Sequence, residues 1–281
     1  MTNRRNFLRT TGLGIAAASL PGMAIAEVPI AELVNDKFKF KLGVASYTLR
    51  EFSREQAIDM TLRCGVNRMT FKSMHLPLDS GKETIKKAVA LCKEKGITLY
   101  GGGVITMKST DQVDQAFEYA KAAGMEMIVG NPSFEMLEYI EGKVQAYNIK
   151  LAIHNHGPDR YSLFPSAVDA YEKINQMDNR MGLCVDIGHT KRLNRDPEQD
   201  VRDCFDRVFD IHLKDVTAAR ADGETCIVGR GVIDVVSLVK ALIELNYSGT
   251  LALEYEAEMN DPLPGMMESL GYIKGILATL S

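Results

Sequence analysis

The chain has 281 residues, 46% hydrophobic and 25% charged, with 33 basic and 37 acidic side chains and a net charge of −4. That balance belongs to an ordinary globular protein and excludes disordered, collagen-like and coiled-coil chains. Five scattered Cys without a Cys-x-x-Cys pair exclude a disulfide scaffold and a cysteine-based zinc finger, and the lack of a basic run beyond the N-terminus argues against nucleic acid as a partner.

The first 26 residues read as an address. Arg4, Arg5 and Arg9 surround Phe7-Leu8, an apolar stretch runs from Gly12 to about Leu20, and Ala24-Ile25-Ala26 is a small-x-small cleavage site. The apolar stretch is shorter than the roughly 20 residues of a membrane-spanning helix. The order of these parts resembles a twin-arginine export signal. The expected organisation is a signal peptide at 1–26 and one domain at 27–281, periplasmic and free of the membrane once cleaved. Without the three Arg of the signal the mature chain carries −7.

Strand and helix patterns alternate through the rest. Leu42–Tyr47 reads as a strand, and Ser53-Arg-Glu-Gln56 as a capping box that opens a helix ending before Gly65. Strands follow at 68–72, 97–104 and 125–129, with helices at 82–95, 111–123 and 135–147 between and after them. Gly65, Gly96 and Gly124 fall 31 and 28 residues apart, each just before a strand, which is the spacing of one repeated βα unit. Further strands are predicted at 149–154, 181–186, 208–214 and 250–256, with helices at 165–176, 197–206, 235–245 and 266–279. Eight of each predict an α/β fold, a single (β/α)8 TIM barrel. An open doubly wound sheet is the alternative, but no Gly-x-Gly-x-x-Gly follows the first strand. Gly101–Gly103 reads as a strand end that admits a close backbone or ligand.

The last four strands carry the ionisable residues. Period-2 alternation places His154 and His156, then Asp186, then His212 and Lys214, then Glu254 and Glu256 on the inward faces. The opposite faces are apolar: Leu151 and Ile153, Leu183 and Val185, Phe209 and Ile211, Leu251 and Leu253. In a barrel the active site lies at the C-terminal strand ends. Singly, each residue has a plainer role: Asp186 can cap the next turn, and Glu254 can pair with Lys214. Together, buried carboxylates and imidazoles from four adjacent strands are best satisfied by a divalent cation. Two nitrogen and two oxygen ligands suit Mn first, with Zn, Co or Fe as alternatives, over Mg or Ca.

The segments LAIHNHG (151–157), VDIGHT (185–190), IHLKD (211–215), GTLALEYE (249–256) and VGRGVID (228–234) resemble the xylose-isomerase-like barrel superfamily. That superfamily includes sugar epimerases, hydroxypyruvate isomerase, inosose dehydratase and endonuclease IV. The resemblance implies one divalent metal held by residues of the last four strands, with Asp186, His212 and Glu254 at matching positions. The first position departs from the pattern, because His154 stands where many members have Glu. His154 is the expected ligand; the alternative gives the metal to His156 and makes His154 a base. By the same resemblance His189 touches substrate oxygens; Lys72 and His75, placed after the second strand, lie at the same rim as candidates to hold substrate hydroxyls or a carboxylate.

The implied reaction is proton abstraction next to a carbonyl of a keto-sugar or polyol, hence an isomerase or epimerase. His156, Lys214 and Glu256 are the candidate acid–base groups, and a nearby cation is expected to lower the pKa of Lys214. Elimination or hydrolysis of keto-glycosides or inososes, by a lyase, dehydratase or hydrolase, is the alternative. A non-catalytic sugar-binding barrel is the alternative of another class. With no Trp in the chain, Tyr47, Phe71 and Tyr100 are the candidates for sugar stacking. Assembly as a homo-oligomer is left open by the sequence.

Overall fold

The computed structural model describes residues 38–280, so the segment read as an export signal, 1–26, and the residues that follow it up to 37 lie outside the described residues. The strands are β1 (Lys41–Ala45), β2 (Arg68–Phe71), β3 (Thr98–Met107), β4 (Met127–Pro132), β5 (Lys150–His154), β6 (Met181–Asp186), β7 (Val208–Leu213), β8 (Asp215–Val216), β9 (Thr225–Cys226) and β10 (Thr250–Leu253). Eight of them close into a parallel barrel in the order β1, β10, β7, β6, β5, β4, β3, β2. The other two, β8 and β9, form a small antiparallel hairpin just beyond β7. The expected (β/α)8 barrel is therefore the fold.

Helices fill the outer ring: α1 (Arg54–Arg63), α2 (Lys82–Glu94), α3 (Thr110–Ala123), α4 (Leu137–Tyr147), α5 (Ala167–Ile174), α6 (Ile187–Arg192), α7 (Pro197–Asp203), α8 (Val235–Glu244) and α9 (Leu263–Leu280). The capping box forms as read: the Ser53 side chain accepts from the Gln56 amide, and the Gln56 side chain reaches back to Ser53 N–H. Gly65, Gly96 and Gly124 all take positive φ, which ends each helix and turns the chain into the next strand. Two cores result. One lies between sheet and helices; a smaller one of Tyr100, Met127, Val129, Ala152 and Cys184 fills the barrel itself. Among the described residues no helix is long and apolar enough to cross a membrane.

Three details depart from the sequence reading. The glycine run lies inside β3, which extends to Met107, and a Cβ on Gly103 would stand 2.1 Å from Val129 O. Those glycines thus let β3 and β4 approach each other rather than end a strand. In β7 the register shifts, so that Val208 pairs with Leu183 but Asp210 with Cys184. Phe209 is the extra residue of this bulge. Its ring turns inward onto the small barrel core, over Gly182 and 4.8 Å from Lys150 Nζ, instead of facing the helices. Third, α6 follows β6 without a loop. It is six residues long, too short for an amphipathic period, and is started by the Asp186 side chain.

Candidate metal centre and active site

His154 ends β5, Asp186 ends β6, His212 lies near the end of β7, and Glu254 follows β10 directly. Parallel registry aligns them: Asp186 pairs with His212, and His212 with Ala252, two residues before Glu254. One candidate ligand atom from each of the four lies within 4.8 Å of the others, and all four residues are buried. His156 does not belong to this group. The structure thus brings together the set with His154 at the first position.

The quartet is only partly hydrogen-bonded: Glu254 Oε2 is held by His212 and Lys214, and Asp186 Oδ2 has an ion-pair contact with Lys214. Asp186 Oδ1 caps α6 by accepting from His189 N–H at 2.8 Å. Asp186 Oδ2, His154 Nε2 and His212 Nε2 are buried and make no hydrogen bond of good geometry. Unsatisfied buried polar atoms cost about 1–3 kcal/mol each, so such atoms converging on one point fit a divalent cation. The two-imidazole, two-carboxylate donor set is of the kind that holds Mn, Fe, Co or Zn.

Lys214 sits behind the quartet. It is fully buried, with Nζ 2.9 Å from both Asp186 Oδ2 and Glu254 Oε2 and hydrogen-bonded to Glu256 Oε1. Burial alone would lower its pKa, but Asp186, Glu254 and Glu256 hold it well above the usual lysine value. The pairing of Lys214 with Glu254 that the sequence allowed is present, and Asp186 and Glu256 join it, so that without a bound cation these carboxylates raise the lysine pKa rather than lower it. Burial pushes the pKa of Asp186 up, yet Lys214 and the imidazoles hold it well below the usual range; His212 and Lys214 do the same for Glu254.

Above the quartet lies a polar cavity of about 320 Å³. His154 and Glu254 reach its surface, and Tyr47, Lys72, His156, His189 and Glu256 line it. Of the three acid–base candidates, His156 and Glu256 face this space; Lys214 is not among its lining residues. His156 lies just past the end of β5 with its side chain 52% exposed, its ring 4.1 Å from that of His189. Burial pushes His189 down to about 3. Its Nδ1 lies 2.8 Å from Gly157 O, so the neutral ring donates there and leaves Nε2 as an acceptor.

The rim contains one of its two expected residues. Lys72 lies 4.7 Å over the Tyr47 ring on the cavity wall. His75 is 1% exposed, held by Ser46 Oγ at 2.9 Å and Leu49 O at 3.2 Å, and is a core residue rather than a substrate contact. Tyr100 is not available for stacking either: it is buried in the barrel and donates to Asp210. Tyr47 alone of the three aromatic candidates lines the cavity above the quartet. The sequence reading missed Thr106, Asn131 and Asp159. Asn131, a polar residue closing the apolar run of β4, was the one with a signal to find.

A model of the xylose isomerase-like TIM barrel family matches residues 58–276. Among solved structures, a D-tagatose 3-epimerase-like protein is 18% identical with a TM-score of 0.71, over 86% of this chain and 98% of that one. The 3-keto-D-glucoside 4-epimerase of E. coli is 16% identical with a TM-score of 0.68, over 84% of this chain and 100% of that one. The IolI protein, whose structure carries a zinc atom, is 15% identical with a TM-score of 0.71, over 85% of this chain and 99% of that one. At these identities the likeness is one of fold. No curated protein matches the sequence. With its closed barrel and a family match over most of its length, this chain belongs to the xylose isomerase-like TIM barrel family.

Proposed function

We propose that the protein is a metal-dependent sugar isomerase or epimerase that removes a proton next to a carbonyl of a keto-sugar or polyol. The observation that carries this reading is the buried, convergent His154, Asp186, His212 and Glu254 quartet beneath a polar cavity with a half-exposed imidazole on its wall. The epimerase names of two structural neighbours agree with it. A divalent metal, when bound, polarises the substrate carbonyl or its neighbouring hydroxyl.

The chain's own residues do the rest. Lys214 locks Asp186 and Glu254 in place and keeps the buried site near charge balance. His189, neutral, accepts a substrate hydroxyl at Nε2. His156 takes the proton: its half-exposed imidazole lines the wall of the cavity. Glu256, held by Lys214 at the cavity surface, is the second group able to carry a proton. Return of the proton to the neighbouring carbon isomerises, and return to the opposite face epimerises.

The test is solvent exchange. Metal-loaded protein in deuterated water is expected to exchange the C–H next to the carbonyl of a keto-sugar. His156→Ala should lower that rate by about 10²–10⁴, the worth of a general base, with metal content unchanged. Metal lost together with activity would make His156 a ligand. Absence of exchange in the parent protein across keto-sugars would overturn the proposed chemistry.

A further inference from the structure

The cavity above the quartet opens into a second, larger chamber of about 690 Å³, and His156, Asp159, His189 and Glu256 line both. Volumes of roughly 300–1,000 Å³ are those of small-ligand sites, and here two adjoin through a shared wall. The far side of the outer chamber is the loop of the β8–β9 hairpin, Ala221–Thr225. That wall is built in advance. Arg192, at the end of α6, donates from Nε to Gly223 O at 2.7 Å and from Nη2 to Thr225 Oγ1 at 3.1 Å. Within the hairpin loop, Thr217 N–H donates to Glu224 O at 2.9 Å. A prearranged wall spares a ligand the entropy of ordering it.

Charge and polarity narrow the occupant. Asp159, Asp222, Glu224 and Glu256 line the chamber against one Arg, which the hairpin holds in place through two neutral acceptors. Asp222 pairs with Arg220 and Glu256 with Lys214, but acidic groups still outnumber basic ones on this wall, which disfavours a phosphate or carboxylate. At the junction of the two chambers stand His156 and His189. His189 is 9% exposed, and its Nε2 is 4.0 Å from Asp186 Oδ2, beyond hydrogen-bond reach.

We infer that the outer chamber is a subsite for the second unit of a two-part substrate, so that the substrate class is a neutral keto-glycoside. The reacting ring occupies the inner cavity, the linked sugar occupies the outer chamber, and the glycosidic linkage passes the two imidazoles. This rests on the proposed chemistry of the inner cavity for which ring reacts, but the subsite itself is separately testable.

The experiment compares 3-keto-D-glucose with a 3-keto-D-glucosyl disaccharide on the metal-loaded protein, by deuterium exchange and by calorimetric binding. The disaccharide is expected to have the higher kcat/KM for exchange by about tenfold or more, the worth of one or two added hydrogen bonds. Ala221→Trp, on the exposed hairpin, obstructs the outer chamber and should bring the ratio of the two kcat/KM values towards one. Glu224→Trp, on the same loop, is the second variant and should do the same. The 6-phosphate of the disaccharide's outer sugar should bind more weakly than the neutral disaccharide. Equal kcat/KM for both sugars in the parent protein, with no change of the ratio in either variant, would overturn the subsite and leave the chemistry standing. Exchange on neither sugar, with disaccharide binding that both Trp variants weaken, would support the subsite and overturn the chemistry.

Discussion

His154 ends a predicted strand and His75 follows one by three residues, and the two differ in what surrounds them. His154 keeps an unspent Nε2 toward Asp186, whereas His75 spends both nitrogens on Ser46 and Leu49. Burial lowers the pKa of His75 below its usual 6.5, so the folded protein holds it neutral. The unfolded chain takes up this proton as pH falls below about 6.5, and the folded chain only at lower pH. Its contribution to stability is therefore complete above that pH and is lost as pH falls. His75→Gln should cost about 1–3 kcal/mol at pH 7.5 through a disrupted buried hydrogen-bond pair, and should make stability fall less steeply between pH 7 and 5. Urea titrations at several pH values check this; parallel pH curves for the two proteins would refute it. Asp186 shows the same dependence on neighbours. Its residue type and inward position were legible, and both the ligand role and the capping role were foreseeable. That one oxygen caps α6 while the other faces His154 and Lys214 is a matter of geometry alone.

At the scale of elements, the IHLKD and VGRGVID segments prove to be one unit. Asp215, just past β7, is fully buried. Its Oδ1 accepts from Val216 N–H at 2.8 Å and Ile233 N–H at 3.2 Å, and its Oδ2 from Gly229 at 2.9 Å and Gly231 at 3.0 Å. A Cβ at Gly231 would stand 2.2 Å from Asp215 Oδ1, so only glycine admits this approach. The carboxylate ties the loop before α8 to the root of the hairpin that walls the outer chamber. Asp215→Ala would strand four backbone donors and should cost about 3 kcal/mol or more in chemical denaturation. Asp215→Asn, which keeps one acceptor oxygen, should fall between. A loss below about 1 kcal/mol for the Ala variant would contradict the anchoring role. Helices and strands were readable here because their periods are local. The β7 bulge and the six-residue α6 were not: a bulge is a relation between two strands, and a helix of under two turns carries no period.

At the scale of the whole molecule, the barrel converts four separate strand ends into one site, and the family match agrees with that closed architecture. The N-terminal segment lies outside the described residues, and we propose that it exports the domain by the twin-arginine route, which carries folded proteins. A site assembled from β5, β6, β7 and the end of β10 could then take its metal before crossing the membrane. Replacing Arg4 and Arg5 together by Lys should retain the protein in the cytoplasmic fraction. Unchanged periplasmic accumulation would refute the route.

The sequence by itself determined the alternating elements, the closed parallel barrel and the inward parity of His154, Asp186, His212 and Glu254. All of these follow from periods of 2 and 3.6 residues acting over short stretches, under a topology with few alternatives. Only the tertiary structure decided that His75 is core, that Lys214 is locked behind the site by three carboxylates, and that the inner cavity opens into a second chamber. Those outcomes depend on which loops meet over the barrel mouth. Lys72, His156 and Glu256 come from three different strand–helix connections and Asn131 from the end of β4, and no local pattern encodes the distance between side chains that only the closing of the barrel brings together.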